Sequence, residues 1–267
     1  MFLVGYALGL AIGVCLGMLG AGGAILTIPV LVFFFNIPPV EATTYSLFIV
    51  GITAFIGSIG YARLNLFSTK SVLFFGVPSL VSVFFSSRYL LPAIPEEVAR
   101  FGPAVLSRDV LVMLLFSFLM VFSAIAMIRN SRVIRKDDFK ETRRYRYGLV
   151  LLVGLVVGII TGILGAGGGF LIIPALVILA NLPMKMAVGT SLVLITINSL
   201  FGFFAKITIV PSPDWVFLFS FSGLTVAGIL SGVFFARFIS GEKLKFAFGV
   251  FVLILGVVLL GQEIYFM

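Results

Sequence analysis

Apolar runs of about 20 residues follow one another along nearly the whole chain, separated by short polar breaks. A helix of about that length crosses a bilayer, whereas the strands of a membrane barrel alternate apolar and polar positions over about ten residues. The runs here are continuous, so the sequence predicts an all-α polytopic membrane protein. The composition agrees, because 61% of the residues are hydrophobic and 10% are charged, far from the balance of a soluble domain.

The rare residue types argue against catalytic chemistry. Histidine, the commonest metal ligand and the usual general base near neutral pH, is absent. The single cysteine, Cys15, lies in an apolar run and is interpreted as a small hydrophobe. No pair of acids and no nucleophile beside a base lies within the apolar segments. We therefore expect no catalytic residues, no metal and no cofactor, and we predict that the chain is not an enzyme.

A duplication divides the chain into two copies. Residues 17–29 read GMLGAGGAILTIP, and residues 162–174 read GILGAGGGFLIIP. The same offset of 145 residues pairs Asn36 with Asn181, Ala42 with Ala187, Ser46 with Ser191 and Gly57 with Gly202. These matches predict two membrane repeats, residues 1–128 and 147–267, joined by a linker at 129–146.

Each repeat contains five apolar segments. The second and seventh are short for a full span, and they either cross the membrane or form re-entrant hairpins. Each repeat crosses an odd number of times in both cases, so the second copy inserts upside down, which predicts two inverted repeats. The segments are 2–20, 22–36, 42–62, 70–91, 109–128, 147–165, 167–181, 187–206, 214–236 and 244–265.

The linker at 129–146 accounts for much of the net charge of +8, because it holds eight basic and three acidic residues. The positive-inside rule places it in the cytoplasm, with the chain in the inner (plasma) membrane. Topology explains these charges better than nucleic-acid binding does.

Glycine turns interrupt the helices at matching places in the two copies. Glycine costs about 1 kcal/mol in a helix, and a broken helix at membrane depth is tolerated where it lines a cavity or is buried in protein. The next helix N-terminus carries about half a positive charge and binds anions. The alternative is that the glycines only permit close helix packing. The candidate substrate-binding glycines are Gly20, Gly22, Gly23, Gly165, Gly167, Gly168 and Gly169.

Polar residues at the start of the third and eighth segments are further candidates for binding an oxyanion. Ser46 and Thr53 are seven residues apart, as are Ser191 and Asn198, so each pair lies on one helical face. Hydrogen bonding between helices is the alternative, and the sequence does not separate the two. The candidates are Thr44, Ser46, Thr53, Thr190, Ser191 and Asn198.

Three residues near the segment ends are also singled out. Lys206 is the best-placed cation for an anion site, although its position favours an interfacial anchor. Glu41 is the acid nearest the candidate site, and it is a candidate carrier of a coupled proton. Tyr61 is predicted to be an interfacial aromatic residue.

The duplicated turns resemble those of the TauE/SafE family of sulfite exporters and sulfonate permeases. The family pattern is a GxxGxGGG-like turn, a proline and an Ala-x-Gly-Thr-Ser-like helix start, present twice. The second copy follows it from Gly162 to Pro174 and from Ala187 to Ser191. The first copy departs from it, with Ala24 in place of the last glycine and Thr44-Tyr45 in place of Gly-Thr. The resemblance implies transport of sulfite, thiosulfate, organosulfonates or related anions, coupled to an ion.

The residues by themselves predict a transporter of a small anion in the lipid bilayer, working by alternating access, with a proton or ion as a possible second partner and no nucleic acid. An anion channel and a non-transporting structural membrane component are the alternatives.

Overall fold

The computed structural model describes residues 2–90, 93, 95, 97–101, 104–131, 147–164, 169–206 and 213–266. Within these ranges, π-helical turns occur at Val72–Gly76, Ser86–Leu90 and Ala175–Leu179, each as part of a longer helix. The long helices in these ranges are α1 (Phe2–Leu19), α2 (Gly22–Phe35), α3 (Pro39–Arg63), α4 (69–90), α5 (Arg108–Ser131), α6 (Tyr147–Leu164), α7 (169–179), α8 (Met184–Lys206), α9 (Trp215–Ala236) and α10 (Gly241–Phe266).

These helices coincide with the ten predicted apolar segments, with end points that differ by at most three residues. The predicted helical architecture is therefore confirmed. The structure adds one feature that the sequence did not predict, a two-stranded antiparallel hairpin between α4 and α5. Its strands are β1 (Glu97–Phe101) and β2 (Ala104–Ser107).

Among the described residues, three helices are long and apolar enough to span a bilayer by length and composition. They are Glu41–Arg63, Met184–Phe204 and Trp215–Ala236, with mean hydropathies of 1.6, 1.8 and 1.9. Shorter apolar stretches of 10 to 17 residues lie in several other described helices. Large apolar side chains face outward, for example Phe33, Phe204 and Val216, and such surfaces suit contact with lipid.

The helices pack into two compact units. The first comprises Met1–Val72 and Leu182–Leu244, and the second comprises Leu73–Asn181 and Lys245–Met267. The core of the first unit includes Leu31, Ile49 and Phe221, which are fully buried. Each unit takes helices from both copies of the duplication, so a sequence repeat is not itself a compact unit.

In the first unit, α1 and α9 cross through glycines that bring their backbones together. A Cβ on Gly17 would lie 2.6 Å from the carbonyl oxygen of Ile229, and a Cβ on Gly232 would lie 2.5 Å from that of Val14. Gly13 and Gly228 occupy the same seam and meet the backbones of the facing helices. Small residues spaced by four allow this close approach in membranes.

The second unit contains a similar seam between α6 and α4. A Cβ on Gly158 would lie 2.5 Å from the carbonyl oxygen of Ser79, and one on Gly154 would lie 2.6 Å from that of Phe75. The Ser86 hydroxyl donates to the Ile159 carbonyl oxygen at 2.8 Å. Helix α6 is the first helix of the second copy, and α4 is the fourth helix of the first copy. In the α1–α9 pair, the first helix belongs to the first copy and the fourth helix to the second. The same pairing therefore occurs in both units, with the copies exchanged.

Helices α3 and α8, which occupy matching places in the two copies, pack antiparallel along their length. A Cβ on Gly57 would lie 3.2 Å from a methyl group of Leu192, and a Cβ on Gly202 would lie 3.3 Å from a methyl group of Leu47. Gly202 is the repeat equivalent of Gly57, and Leu192 is that of Leu47. The contact is therefore reciprocal, as at an interface between elements related by a twofold axis.

Candidate functional site

The break between α1 and α2 is the first of the two predicted glycine turns. Gly20 has φ 76°, a left-handed conformation that glycine adopts without the steric cost of a Cβ. Its N–H donates to the Leu16 carbonyl oxygen at 2.8 Å, and α2 starts two residues later. Such a break leaves carbonyls at the end of one helix and amides at the start of the next without helical partners.

Side-chain hydroxyls from two other helices satisfy carbonyls on the α1 side of the break. The Tyr61 hydroxyl, from α3, donates to the Gly17 carbonyl oxygen at 2.8 Å. The Ser191 hydroxyl, from α8, lies 2.8 Å from the Val188 carbonyl oxygen and 3.3 Å from that of Gly20. The Ser191 hydroxyl therefore links the glycine turn of the first copy to the polar start of α8, which belongs to the second copy.

The amide side of the break, at the start of α2, differs from the carbonyl side in its capping. Ala21 stands at the N-cap of α2, and its methyl side chain offers no acceptor for the first amides of the helix. Ala21 is fully buried, and a Cβ on Gly23 would meet the Ile12 carbonyl oxygen and lie 3.0 Å from the Leu16 Cβ. Glycine thus lets α2 begin directly against α1. The result is a helix N-terminus that carries a partial positive charge beside the buried Ala21, whose side chain does not cap it.

The polar start of α8 covers this turn. A Cβ on Gly189 would meet the Leu66 carbonyl oxygen, in the loop that follows α3. The Ser68 N–H donates to the Thr190 hydroxyl oxygen at 3.0 Å. Thr190 and Ser191 are both fully buried, so the turn, the loop and the start of α8 form one hydrogen-bonded group within the first unit.

The other polar candidates lie at further positions on α3 and α8. Thr53 lies 2.6 Å from both the Ile49 carbonyl oxygen and the Thr225 hydroxyl, so it links α3 to α9. Thr44 and Ser46 are buried, while Asn198 and Glu41 are half-buried. The structure therefore gathers only Thr190 and Ser191 of these candidates at the first glycine turn.

Part of the second predicted site lies outside the described residues. This applies to Gly165, Gly167 and Gly168 and to the side chain of Lys206, whose backbone ends α8. Gly169 begins α7, and Gly22 begins α2. The second glycine turn remains a prediction from the sequence.

Tyr61 is the residue that sequence reasoning placed wrongly. The sequence predicts that it lies at the membrane interface, but it is 1% exposed, and its Cβ lies against the start of α8, where a Cβ on Gly189 would be 2.9 Å away. An aromatic residue near a helix end suits either location, and only packing distinguishes them. The repeat offered one signal, because the equivalent of Tyr61 in the second copy is Lys206, which the sequence had singled out.

The fold and this turn define a polytopic helical membrane protein that contains a buried helix break held by two neighbouring helices. The profile of the family described as "Sulfite exporter TauE/SafE" matches residues 5–259. The chain belongs to this family, and the resemblance seen in the sequence is confirmed.

Curated relatives carry the same kind of name. YunE of Bacillus subtilis, a "Probable membrane transporter protein", is 28% identical over 75% of this chain and 76% of its own length. YdhB of the same organism is 27% identical over 93% and 96%, and a Xylella fastidiosa protein is 27% identical over 91% and 88%. No solved structure matches the chain significantly. These names describe membrane transporters and not enzymes, as the sequence predicted.

Proposed function

We propose that the chain is a secondary transporter of a small anion, specifically a sulfur oxyanion or an organosulfonate such as sulfite or thiosulfate. The family description supports the substrate class. The observation that carries the proposal is the unequal capping of the α1–α2 break. Hydroxyls satisfy carbonyls on one side, whereas the N-cap residue on the other side, Ala21, has no side chain that could cap the amide end of α2.

The amide end of α2 is the part of this site suited to an oxyanion. A helix N-terminus offers free N–H donors and about half a positive charge, which stabilises an anion without a buried arginine. The Ser191 hydroxyl directs its proton at carbonyls, so the backbone rather than this hydroxyl would donate to the substrate. We propose that the second glycine turn, with Gly165, Gly167, Gly168 and Gly169, plays the equivalent part in the second copy.

Lys206 and Glu41 complete the proposal. Lys206 takes the repeat position of Tyr61, so the second copy holds a cationic residue at the position where the first copy holds a hydroxyl. Glu41 lies in the first turn of α3 and is half-buried, and we propose it as the carrier of a coupled proton. These two residues make the two copies chemically unequal, which suits a carrier that binds one anion and one cation.

The transport cycle would be alternating access between two inverted halves. The reciprocal contact of Gly57 and Gly202 with leucines of the opposite helix supports a pseudo-twofold relation. The exchanged pairing of α1 with α9 and of α6 with α4 supports the same relation. Inverted repeats of this kind present one site to the two sides of the membrane in turn.

Flux measurements test the function directly. Purified protein in liposomes should take up labelled sulfite, thiosulfate or a short sulfonate with saturation, and unlabelled substrate inside should accelerate uptake. Chloride and a neutral sulfone of similar size serve as controls, and neither should compete. A current that rises linearly with voltage and shows no counterflow would instead identify an anion channel, and no flux of any anion would favour a structural role.

Cysteine labelling tests the inverted arrangement and the location of the linker. Pro38 and Pro183 are equivalent in the repeat and both are exposed. In a Cys15→Ser background, Pro38→Cys and Pro183→Cys should react with an impermeant thiol reagent from opposite sides of the plasma membrane. A cysteine in the 129–146 linker should react only from the cytoplasm, because its basic residues favour that side. Labelling of both proline positions from one side would exclude inverted repeats.

A further inference from the structure

Three helix ends meet at one edge of the first unit. The Lys185 ammonium, at the start of α8, donates to the Arg237 carbonyl oxygen at the end of α9, at 3.1 Å. A Cβ on Gly241, at the start of α10, would lie 3.7 Å from the Cβ of Met184. The Lys185 side chain is therefore held at this edge by a backbone carbonyl of the neighbouring helix end.

The Arg237 guanidinium lies over two phenylalanine rings. Its central carbon is 3.8 Å from the centroid of the Phe234 ring and 4.6 Å from that of Phe238. These distances are within the range of cation–π contacts. The rings are 49% and 69% exposed, and Phe234 lies in the last turn of the apolar helix Trp215–Ala236 while Phe238 lies just beyond it. The cation is thus fixed beside apolar surface at the end of a candidate span.

The charge at this edge is not balanced within the described part of the chain. Neither Lys185 nor Arg237 forms an ion pair with a described carboxylate. Lys243 adds another exposed cation on α10 and Glu242 an exposed anion. Four residues with three positive charges and one negative charge leave an excess of two positive charges at this edge.

We propose that Lys185, Phe234, Arg237 and Phe238 form a binding site for the headgroup of an anionic phospholipid. The guanidinium has donor groups in a planar fork that matches two phosphate oxygens, and stacking on the rings fixes its plane. The Lys185 ammonium has donors left after its bond to the Arg237 carbonyl. The exposed rings provide apolar contact for the start of the acyl chains, which a free phosphate ion lacks. Basic pockets at the ends of membrane helices bind such headgroups.

The test measures the thermal unfolding midpoint of delipidated protein in detergent on titration with phosphatidylglycerol. We expect the midpoint to rise with phosphatidylglycerol but not with phosphatidylcholine, inorganic phosphate or glycerol 3-phosphate. Arg237→Gln and Lys185→Gln should each weaken the lipid affinity about fivefold. The matched control is Arg63→Gln, which removes an exposed arginine at the end of α3 and should bind lipid as the wild type does.

Several outcomes would overturn the proposal. They are an unchanged phosphatidylglycerol response in Arg237→Gln, an equal response to phosphatidylcholine, and reproduction of the effect by phosphate alone. An equal loss in Arg63→Gln would show that the lipid senses overall charge rather than this site. If Arg237→Gln does not fold, native mass spectrometry can compare the phosphatidylglycerol that the wild type and Lys185→Gln retain. Equal retention by the two proteins would contradict the site.

Discussion

Gly228→Val should destabilise the protein by about 3 kcal/mol or more, whereas Gly223→Val on the same helix should be neutral or slightly stabilising. A Cβ on Gly228 would meet the Leu10 carbonyl oxygen and lie 3.0 Å from the Gly13 Cα and the Val14 nitrogen. These are backbone atoms, which cannot turn away as a side chain can. A Cβ on Gly223 meets nothing within 4 Å.

The two variants separate packing from helix propensity. Valine is a slightly better helix former than glycine, so propensity alone predicts that both variants gain stability. Thermal unfolding in detergent, with the monodisperse fraction by size-exclusion chromatography, measures the difference. Equal midpoints for the two variants would show that α1 and α9 are not in backbone contact, and the described seam would be wrong.

Tyr61→Phe should reduce transport efficiency by a factor of about 5 to 150, which corresponds to leaving a buried acceptor without its donor. The substitution removes only the hydroxyl that donates to the Gly17 carbonyl oxygen at 2.8 Å. This carbonyl lies beside the helix break, so its loss of a partner should shift the turn that positions the amide end of α2. We expect the effect mainly in the apparent substrate affinity.

The control for this prediction is Tyr89→Phe, because Tyr89 is 58% exposed on α4 and should tolerate loss of its hydroxyl. Uptake below and above saturation, normalised to folded protein, separates affinity from turnover. If Tyr61→Phe unfolds at a lower temperature but transports normally per folded molecule, Tyr61 supports packing and does not position the turn.

The helical segments could be predicted because each depends on local information. A run of about 20 apolar residues has few stable alternatives in a bilayer. Asn36 and Asn181 end matching helices in the left-handed conformation, with φ of 53° and 54°, and the repeat had already paired them. The hairpin of β1 and β2 was missed because it lies outside any apolar segment, although the Gly102-Pro103 pair between its strands is a turn signal.

The candidate site was predicted only in part. The sequence found the glycine turn and the Thr190-Ser191 start, because both recur in the two copies. It did not determine that the Ser191 hydroxyl would lie near carbonyls, nor that Thr53 would bond to Thr225, since hydroxyls in membranes suit ligands and neighbouring helices equally. Tyr61 was placed at the interface because its burial depends on α8, a helix more than 120 residues away in the chain.

The sequence by itself determined the membrane class, the helix boundaries and the duplication, because hydropathy and internal similarity can be read from local order along the chain. The tertiary structure decided which helices pair. Gly13 could have faced lipid or any helix, and only the complementary glycines of α9 allow its backbone so close. Lipid is as apolar as leucine, so hydrophobicity does not choose between partners in a membrane, and contact geometry does.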